Sequence, residues 1–330
     1  MPTPNYGLLP EVAIDPRDWR AGGISGVKKT VLREDGDYSS FLPTDEYQSG
    51  LFFETFACVS FSALNCLETI SRVQGRQPEW SDRALAKWSN TTKQGNFLST
   101  VAETIRNSGV VDEILWPFPR FQRDPPFLFE DYYCPTPNDL IALGQAWKDK
   151  WEVLHEWVQT DSQSLVEALK YGPIQVTVRA WPAPVDGVYQ DDPSVSLNHA
   201  VMLYKADGTN WFIFDHYDST KKKLVWNYGF GAAKQFFLSK KTPMPALELP
   251  NDTLVQDVQR HGTFGNYLNG KIMQVNALGD EGKLALTMLM RGKTVLLNGE
   301  EVVVQRKAHP LTKEQWDSVS HVDLKGNPLT

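Results

Sequence analysis

The apolar period of this chain changes once, near Gly172-Pro173, and that change limits what it can fold into. Ahead of it, Phe61, Leu64, Leu67 and Ile70 recur every three positions after Cys58, which reads as a helix with one buried stripe. Val101, Ile105 and Ser108 predict a second helix closed by Gly109, and "SLVEALKY" predicts a third, stopped by the Gly-Pro pair. Beyond that pair, "IQVTV", "HAVMLY" and "WFIFD" are β-branched and aromatic segments separated by turns, the pattern of strands. Helices followed by strands imply an α+β fold and argue against a doubly wound sheet.

A chain of 330 residues has room for two units, and its texture changes again near residue 245. The division expected is a main domain over 1–244 and a small α/β module or docked extension over 245–330. In the latter, Asn298-Gly299 within "KTVLLNGEEVVVQ" predicts a tight hairpin. Thr312, with Gln315 three residues on, predicts a capped helix. Apolar runs such as "LALTMLM" suggest that this module docks, either on the main domain or on an assembly partner.

The net charge of −7 argues against nucleic acid as a partner, because a phosphate-binding groove needs clustered Lys and Arg. The one basic run, Lys221-Lys222-Lys223, reads as a solvated turn. No segment reaches the ~18 apolar residues of a membrane helix, and the start lacks a basic end followed by an apolar stretch. The expected setting is therefore cytoplasmic or virion-associated, with no membrane partner. Three cysteines are too few for a disulfide framework, so Cys58, Cys66 and Cys134 read as free thiols.

Cys58 stands where an aromatic segment turns into the first helix. A free cysteine is commonly an inert buried residue, but the first turn of a helix favours negative charge and lowers a thiol pKa. Cys66 lies two turns deeper without that advantage. A thiolate needs a base, and His199 opens an apolar strand followed by a turn and a second strand ending at Asp215. An odd-length loop centred on Asp207 would set His199 opposite Asp215, whose carboxylate could then hold the imidazole by its Nδ1–H. A two-residue turn at Asp207-Gly208 would bring His216 there instead.

Several segments, in order, resemble papain-family cysteine peptidases. "ACVSFSALNCLE" resembles the nucleophile segment, "NHAVMLY" the histidine segment, and "NWFIFDHY" the strand ending in the orienting asparagine. "GNFLSTVAETIRNSGVVDEILWPF" is similar to the glycine-rich cleft edge and the helix after it. "LVEALKYGPIQVTVRA", "DGVY" and "LLPEVAIDPRDWR" also match family segments, so the resemblance runs from about residue 8 to about residue 240. It implies a papain-like fold of a helical half and a twisted β half, and hydrolysis of peptide or amide bonds through an acyl-enzyme. Cys58 would be the nucleophile, His199 the base and Asp215 the orienting residue. Gln48 would supply the oxyanion amide, and Gly95, Asn96 and Asn198 would bind an extended peptide or protein substrate. No metal or organic cofactor is implied.

Departures are visible too. Gln48 precedes Cys58 by ten residues, more than is usual in the family, and Val59 replaces an aromatic residue. Asp215 stands in place of asparagine, the covering tryptophan corresponds at best to Tyr217, and the long inhibitory pro-segment is missing. Two alternatives stay open: a transglutaminase-like acyl transferase, which also uses Cys, His and Asp, and an inactive papain-like scaffold serving assembly.

Overall fold

The computed structural model describes residues 5–11, 29–217, 221–241, 253–257, 264–268, 271–274, 294–297, 300–303, 309–322 and 328. The chain divides into two compact units, Met1–Lys241 and Thr242–Thr330. The fold class is α+β, as the change of period implies.

The first unit is organised around helix α1, Cys58–Val73, whose residues from Cys58 to Ser71 are all buried. The sequence suggested one buried stripe; instead the helix is enclosed on every side. Its polar residues are therefore tied to neighbours: Gln175 Nε2 donates to the Val59 carbonyl and to Ser62 Oγ, both at 2.8 Å. Helices α2 (Asp82–Trp88), α3 (Leu98–Ser108), α4 (Phe129–Tyr132), α5 (Asn138–Lys150) and α6 (Ser162–Leu169) follow as expected of a helical half. Ser81 caps α2 by accepting from Ala84 N–H. Gly109 closes α3 at φ 75°, a conformation with little strain only for glycine.

The second layer is an antiparallel sheet in the order β1-β6-β2-β3-β4-β5, formed by Trp151–Val158, Ala233–Lys240, Ile174–Val178, His199–Ala206, Asn210–Phe214 and Lys221–Val225. The central strand β2 is buried along its whole length, and helix α1 packs across β2, β3 and β6. Burial on both faces explains why these strands read as continuous apolar runs. The Lys221-Lys222-Lys223 run is not a solvated turn. It begins β5, where side chains alternate between faces, and Lys222 points inward with Leu224.

The connection between β3 and β4 also differs from expectation. Asp207 N–H donates to the Asn210 carbonyl and Ala206 pairs with Trp211, so the turn is even-length, over Gly208-Thr209. That register alone would put Asp215 and His199 on opposite faces. A bulge between Leu203 and Lys205 shifts it by one residue, to Leu203↔Ile213 and Met202↔Phe214. Continued, this pairing faces His199 with Tyr217 and sets Asp215 diagonal to it on the same face.

The second unit holds a five-stranded sheet in the order β12-β7-β8-β9-β13 and a separate hairpin. In the sheet, β7 (Thr253–Asp257), β8 (Phe264–Leu268) and β9 (Lys271–Gln274) are antiparallel, and β12 (His309–Leu311) and β13 (Ser320–Val322) join in parallel. The hairpin strands β10 (Thr294–Leu297) and β11 (Glu300–Val303) pair with Leu297 opposite Glu300, as a two-residue connection requires. Asn298-Gly299 itself and "LALTMLM" lie outside the described residues. The capped helix, α7 (Lys313–Asp317), has its reciprocal bonds. Thr312 N–H donates to Gln315 Oε1 at 3.0 Å, and Gln315 N–H to Thr312 Oγ1 at 3.3 Å. Ile272, Leu311, Trp316 and Val319 form this unit's described core. Among the described residues no helix is long and apolar enough to cross a membrane.

Candidate active site

Cys58 is the first residue of α1, where the helix geometry leaves N–H groups without intrahelical partners. Its thiol lies against the backbone N–H of Ala200, the residue after His199. The thiol of the helical layer and the residue next to the β layer's imidazole are thus brought together by the packing of α1 on β3.

His199 Nε2 lies 2.8 Å from Asp215 Oδ1, and both side chains are fully buried. The sequence suggested that Nδ1 would face the carboxylate; here it is Nε2. The neutral ring therefore carries its proton on Nε2, leaving the Nδ1 lone pair free to accept one. Nδ1 has no hydrogen-bond partner. His216, the alternative third member, does not compete. Its ring stacks on Phe61 at 5.2 Å, and burial, then the charge of His199, holds its pKa well below the ordinary histidine value.

Asp215 is gripped at its other oxygen as well. Oδ2 accepts from Trp181 Nε1 at 2.9 Å and from Lys222 Nζ at 2.6 Å. Burial alone would raise the carboxyl pKa, but the charge and hydrogen bond of His199, with His216 and Lys222, hold it well below the usual carboxylate range. Trp181, reached from β2, meets the His199 ring edge-on at 6.2 Å. Trp181 thus packs on the ring where Tyr217 was the expected aromatic neighbour. Tyr217 still lies near, 6.2 Å from the same ring.

Gln48 is fully buried, and its backbone N–H donates to the His216 carbonyl at 2.7 Å. Nε2 donates to the Tyr6 carbonyl at 2.9 Å and to Glu54 Oε1 at 2.6 Å. Glu54 Oε1 also accepts from Phe56 N–H at 3.2 Å, so one carboxylate holds the long loop and aims the amide. That loop carries Phe56 at φ 57°, a left-handed conformation uncommon outside glycine, immediately before the helix.

Residues 5–9 cross the site and are bonded to both halves. Tyr6 N–H donates to the Asn198 carbonyl at 3.2 Å, Asn96 N–H to the Gly7 carbonyl at 3.0 Å, and Leu9 N–H to the Asn96 carbonyl at 2.9 Å. The Tyr6 ring lies 5.0 Å from that of His199 and 4.4 Å from that of Tyr217. Gly7 has φ 105°, and a Cβ there would stand 2.1 Å from the Phe56 carbonyl oxygen; a Cβ on Gly95, also at φ 105°, would stand 2.1 Å from that of Gly7. Only glycines allow so close an approach of three backbones.

This cover has an electrostatic consequence. Burial raises the Cys58 pKa, and the charges of Glu54 and Asp215 raise it further against the backbone N–H groups of Ala200 and Val59. The lowered thiol pKa expected from the helix N-terminus is therefore absent in this closed arrangement, where desolvation is the larger effect. Cys66 is also fully buried, with its pKa raised by desolvation, and Cys134 is half-buried.

The remaining expected residues can be placed. The backbones of Asn96 and Asn198 face residues 5–9, whereas their side chains serve the fold. Asn96 Nδ2 donates to the Ser89 carbonyl at 2.9 Å, and the Asn198 amide pairs with both backbone groups of Ala180. Tyr6, Glu54, Trp181 and Lys222 were not anticipated. For Lys222 a signal existed: the alternation in "KKKLV" puts it on the face of an apolar Leu224.

Two groups of described residues bring three ligand atoms within 4.8 Å: His199, Asp215 and His216, and Glu46, Glu68 and Glu79. In the first, the Lys222 ammonium already sits on the carboxylate. In the second, burial pushes Glu46 and Glu68 toward their protonated forms.

A cysteine thus opens the central helix, and a histidine opening a strand is held by the carboxylate that follows the next strand. The fold is α+β, with a helical half and an antiparallel β half. Among solved structures the chain is similar to xylellain, a cysteine protease from Xylella fastidiosa, at 16% identity and TM-score 0.49, covering 73% of this chain and 97% of that one. It is also similar to the Carica candamarcensis cysteine protease CMS1MS2, at 15% identity and TM-score 0.44, over 60% and 95% of the two chains. Digestive procathepsin L2 from Tenebrio molitor matches at 14% identity and TM-score 0.48, over 72% and 78%. No family model matches the sequence, and a search of curated proteins finds no match.

Proposed function

We propose that this papain-like chain is a thiol-dependent hydrolase of peptide or amide bonds whose site is covered, in the arrangement described, by its own residues 5–9. The observation that carries the reading is the His199 ring. Nε2 is fixed on Asp215 at 2.8 Å while Nδ1, buried and unpartnered, is left for the thiol that opens α1. In the reaction the Cys58 proton passes to His199 Nδ1 and the sulfur attacks the substrate carbonyl carbon. The imidazolium then returns the proton to the leaving amine as the C–N bond breaks, giving a thioester. Water attacks the thioester carbonyl, giving up its proton to Nδ1. That proton passes to the departing sulfur and restores the thiol.

The oxyanion formed at each stage needs donors. Cys58 N–H, at the first turn of α1, is one, and Gln48 Nε2–H, now on the Tyr6 carbonyl, is the other. Glu54 keeps the second Nε2 hydrogen engaged, so the amide stays aimed when Tyr6 leaves. The Asn96 backbone and the Asn198 carbonyl, now bonded to residues 5–9, would then be open to an extended peptide.

The closed thiol is also what an inactive scaffold would show. The two readings separate on treatment of the full chain with an epoxide thiol inactivator followed by intact mass and peptide mapping. The expected result is one adduct, at Cys58, formed faster in Gly7→Ala, because a Cβ on Gly7 collides with Phe56 and lifts the cover. No adduct at Cys58 in either protein, or equal labelling of Cys66 and Cys134, overturns the hydrolase reading. Transfer to an added amine in preference to water would redirect it to acyl transfer.

A further inference from the structure

Lys222 is almost completely buried, an uncommon place for an ammonium group. Its Nζ lies 2.6 Å from Asp215 Oδ2 and 5.3 and 5.8 Å from the ring centroids of Trp181 and Tyr189. The sheet puts it there: Lys222 pairs with Ile213 across β4 and β5, and Asp215 follows Ile213 by two residues on the same face. The Val185↔Val188 turn then brings Tyr189 over β5 through its bridge to Leu224.

We infer that Lys222 is a positioning residue for the Cys58–His199 pair, balancing the charge of Asp215 so that a carboxylate can hold the imidazole much as a neutral amide would. The inference rests on the hydrolase reading for its consequence but on the Lys222–Asp215–His199 chain of contacts for its substance. A buried carboxylate beside His199 with no counter-charge would favour imidazolium strongly and hold the ring as a permanent cation, a poor acceptor for the thiol proton. An ammonium beside a neutral amide would do the reverse. With both present, the pair adds a fixed hydrogen-bond acceptor at Nε2 and little net charge. Among the described residues the other ionisable groups acting on the ring are His216 and Glu54, with the Cys58 thiol against the backbone of the next residue, Ala200, and the rings packed on it include those of Tyr6, Trp181 and Tyr217.

The test uses the full chain as wild type, Lys222→Met, Asp215→Asn and the double variant, with two readouts. One is the midpoint of the His199 ring titration from long-range ¹H–¹⁵N spectra; the other is the alkylation rate of Cys58 against pH. Lys222→Met should move the ring midpoint up by about one pH unit or more, and Asp215→Asn should move it down by a similar amount. The double variant should return to the wild-type value, and the basic limb of the alkylation profile should follow in each case. Should Lys222→Met fail to fold, a folded double variant with the wild-type midpoint supports the pairing. Loss of folding in the double variant as well overturns it, because the charges are then balanced. A ring midpoint unmoved by Lys222→Met overturns the role of Lys222 whatever the thiol does. Absence of Cys58 alkylation in all four forms overturns the hydrolase reading instead.

Discussion

Two buried carboxyl sites lie along helix α1, one brought there by the residue that follows β4 and one carried by the helix itself, and they differ in ionisation. Near its start, Asp215 meets a donor at each oxygen: His199 on one, Trp181 and Lys222 on the other. Ten residues along, Glu68 faces Glu46 and Glu79, with Asp82 close by and Glu113 next to Asp82, and Arg72 pairs with Glu79 at 3.5 Å. Glu68 has one bond, from Trp80 N–H at 2.7 Å, and its second oxygen is unpartnered, as are Asp82 Oδ1 and Glu113 Oε2. Burial raises the pKa of Glu68 and Asp82 well above the ordinary value, and that of Glu113 to about 7. Burial raises the pKa of every one of these carboxyl groups, and the partners decide whether the rise stands. Asp215 stays charged because cations and donors offset its desolvation, whereas in the Glu68 cluster desolvation is the largest effect and the neighbouring acids add to it.

The largest expected contrast comes from deleting each centre. Asp215→Ala takes from the buried Lys222 ammonium the carboxylate it meets at 2.6 Å and from His199 its acceptor, and the loss should be about 3–5 kcal/mol in denaturant unfolding, together with loss of turnover. Glu68→Gln keeps the shape and removes only a group that prefers to be neutral, so it should cost little at pH 5. Equal losses in the two variants would mean that the two centres do not differ in charge state.

The next contrast is pH dependence. A carboxyl whose folded pKa is raised contributes stability that is fully present below its unfolded pKa, near 4, and is lost as pH rises through the folded value, about 7 for Glu113. Asp215 has the opposite sign: its contribution is present above pH ~4 and lost only as pH falls through its depressed folded value. Between pH 5 and 8 the acidic cluster therefore sets the slope, and thermal stability should fall across that interval. Glu68→Gln or Glu113→Gln should flatten the slope and stabilise at pH 8 by about 1–3 kcal/mol. A melting temperature that rises from pH 5 to 8 would count against protonated carboxyls.

A smaller effect is expected at the cover. Gly7→Ala should raise the rate of Cys58 alkylation by about tenfold, the equivalent of ~1.4 kcal/mol, and leave the pH slope of stability unchanged. Comparison of labelling rates and melting curves at three pH values checks both parts. A change in the slope would mean that residues 5–9 couple the two sites instead of covering one.

Much of this was legible in the residues themselves. The helical period after Cys58, the glycine stop at Gly109 and the β-branched runs after Gly172-Pro173 specify elements through local sterics and side-chain burial, which a linear sequence records directly. Cys58, His199 and Asp215 could be named because each stands at an element end whose position follows from those signals.

What the sequence could not decide was set by pairing between distant segments. The loop parity was misjudged because a bulge near Tyr204 is one residue of slack in a ladder, invisible in composition yet enough to turn Asp215 to the face of His199. Lys222 reads as solvated because a lysine run is usually exposed, whereas its burial here is met by a carboxylate that follows β4 and that no local pattern places beside it. The ionisation of Cys58 followed the same logic: the helix N-terminus is encoded locally, but desolvation by Tyr6 and its neighbours is a property of the packed site. Local geometry is set by short-range sterics, whereas charge state depends on everything within a few ångströms, and only the tertiary structure brings those groups together.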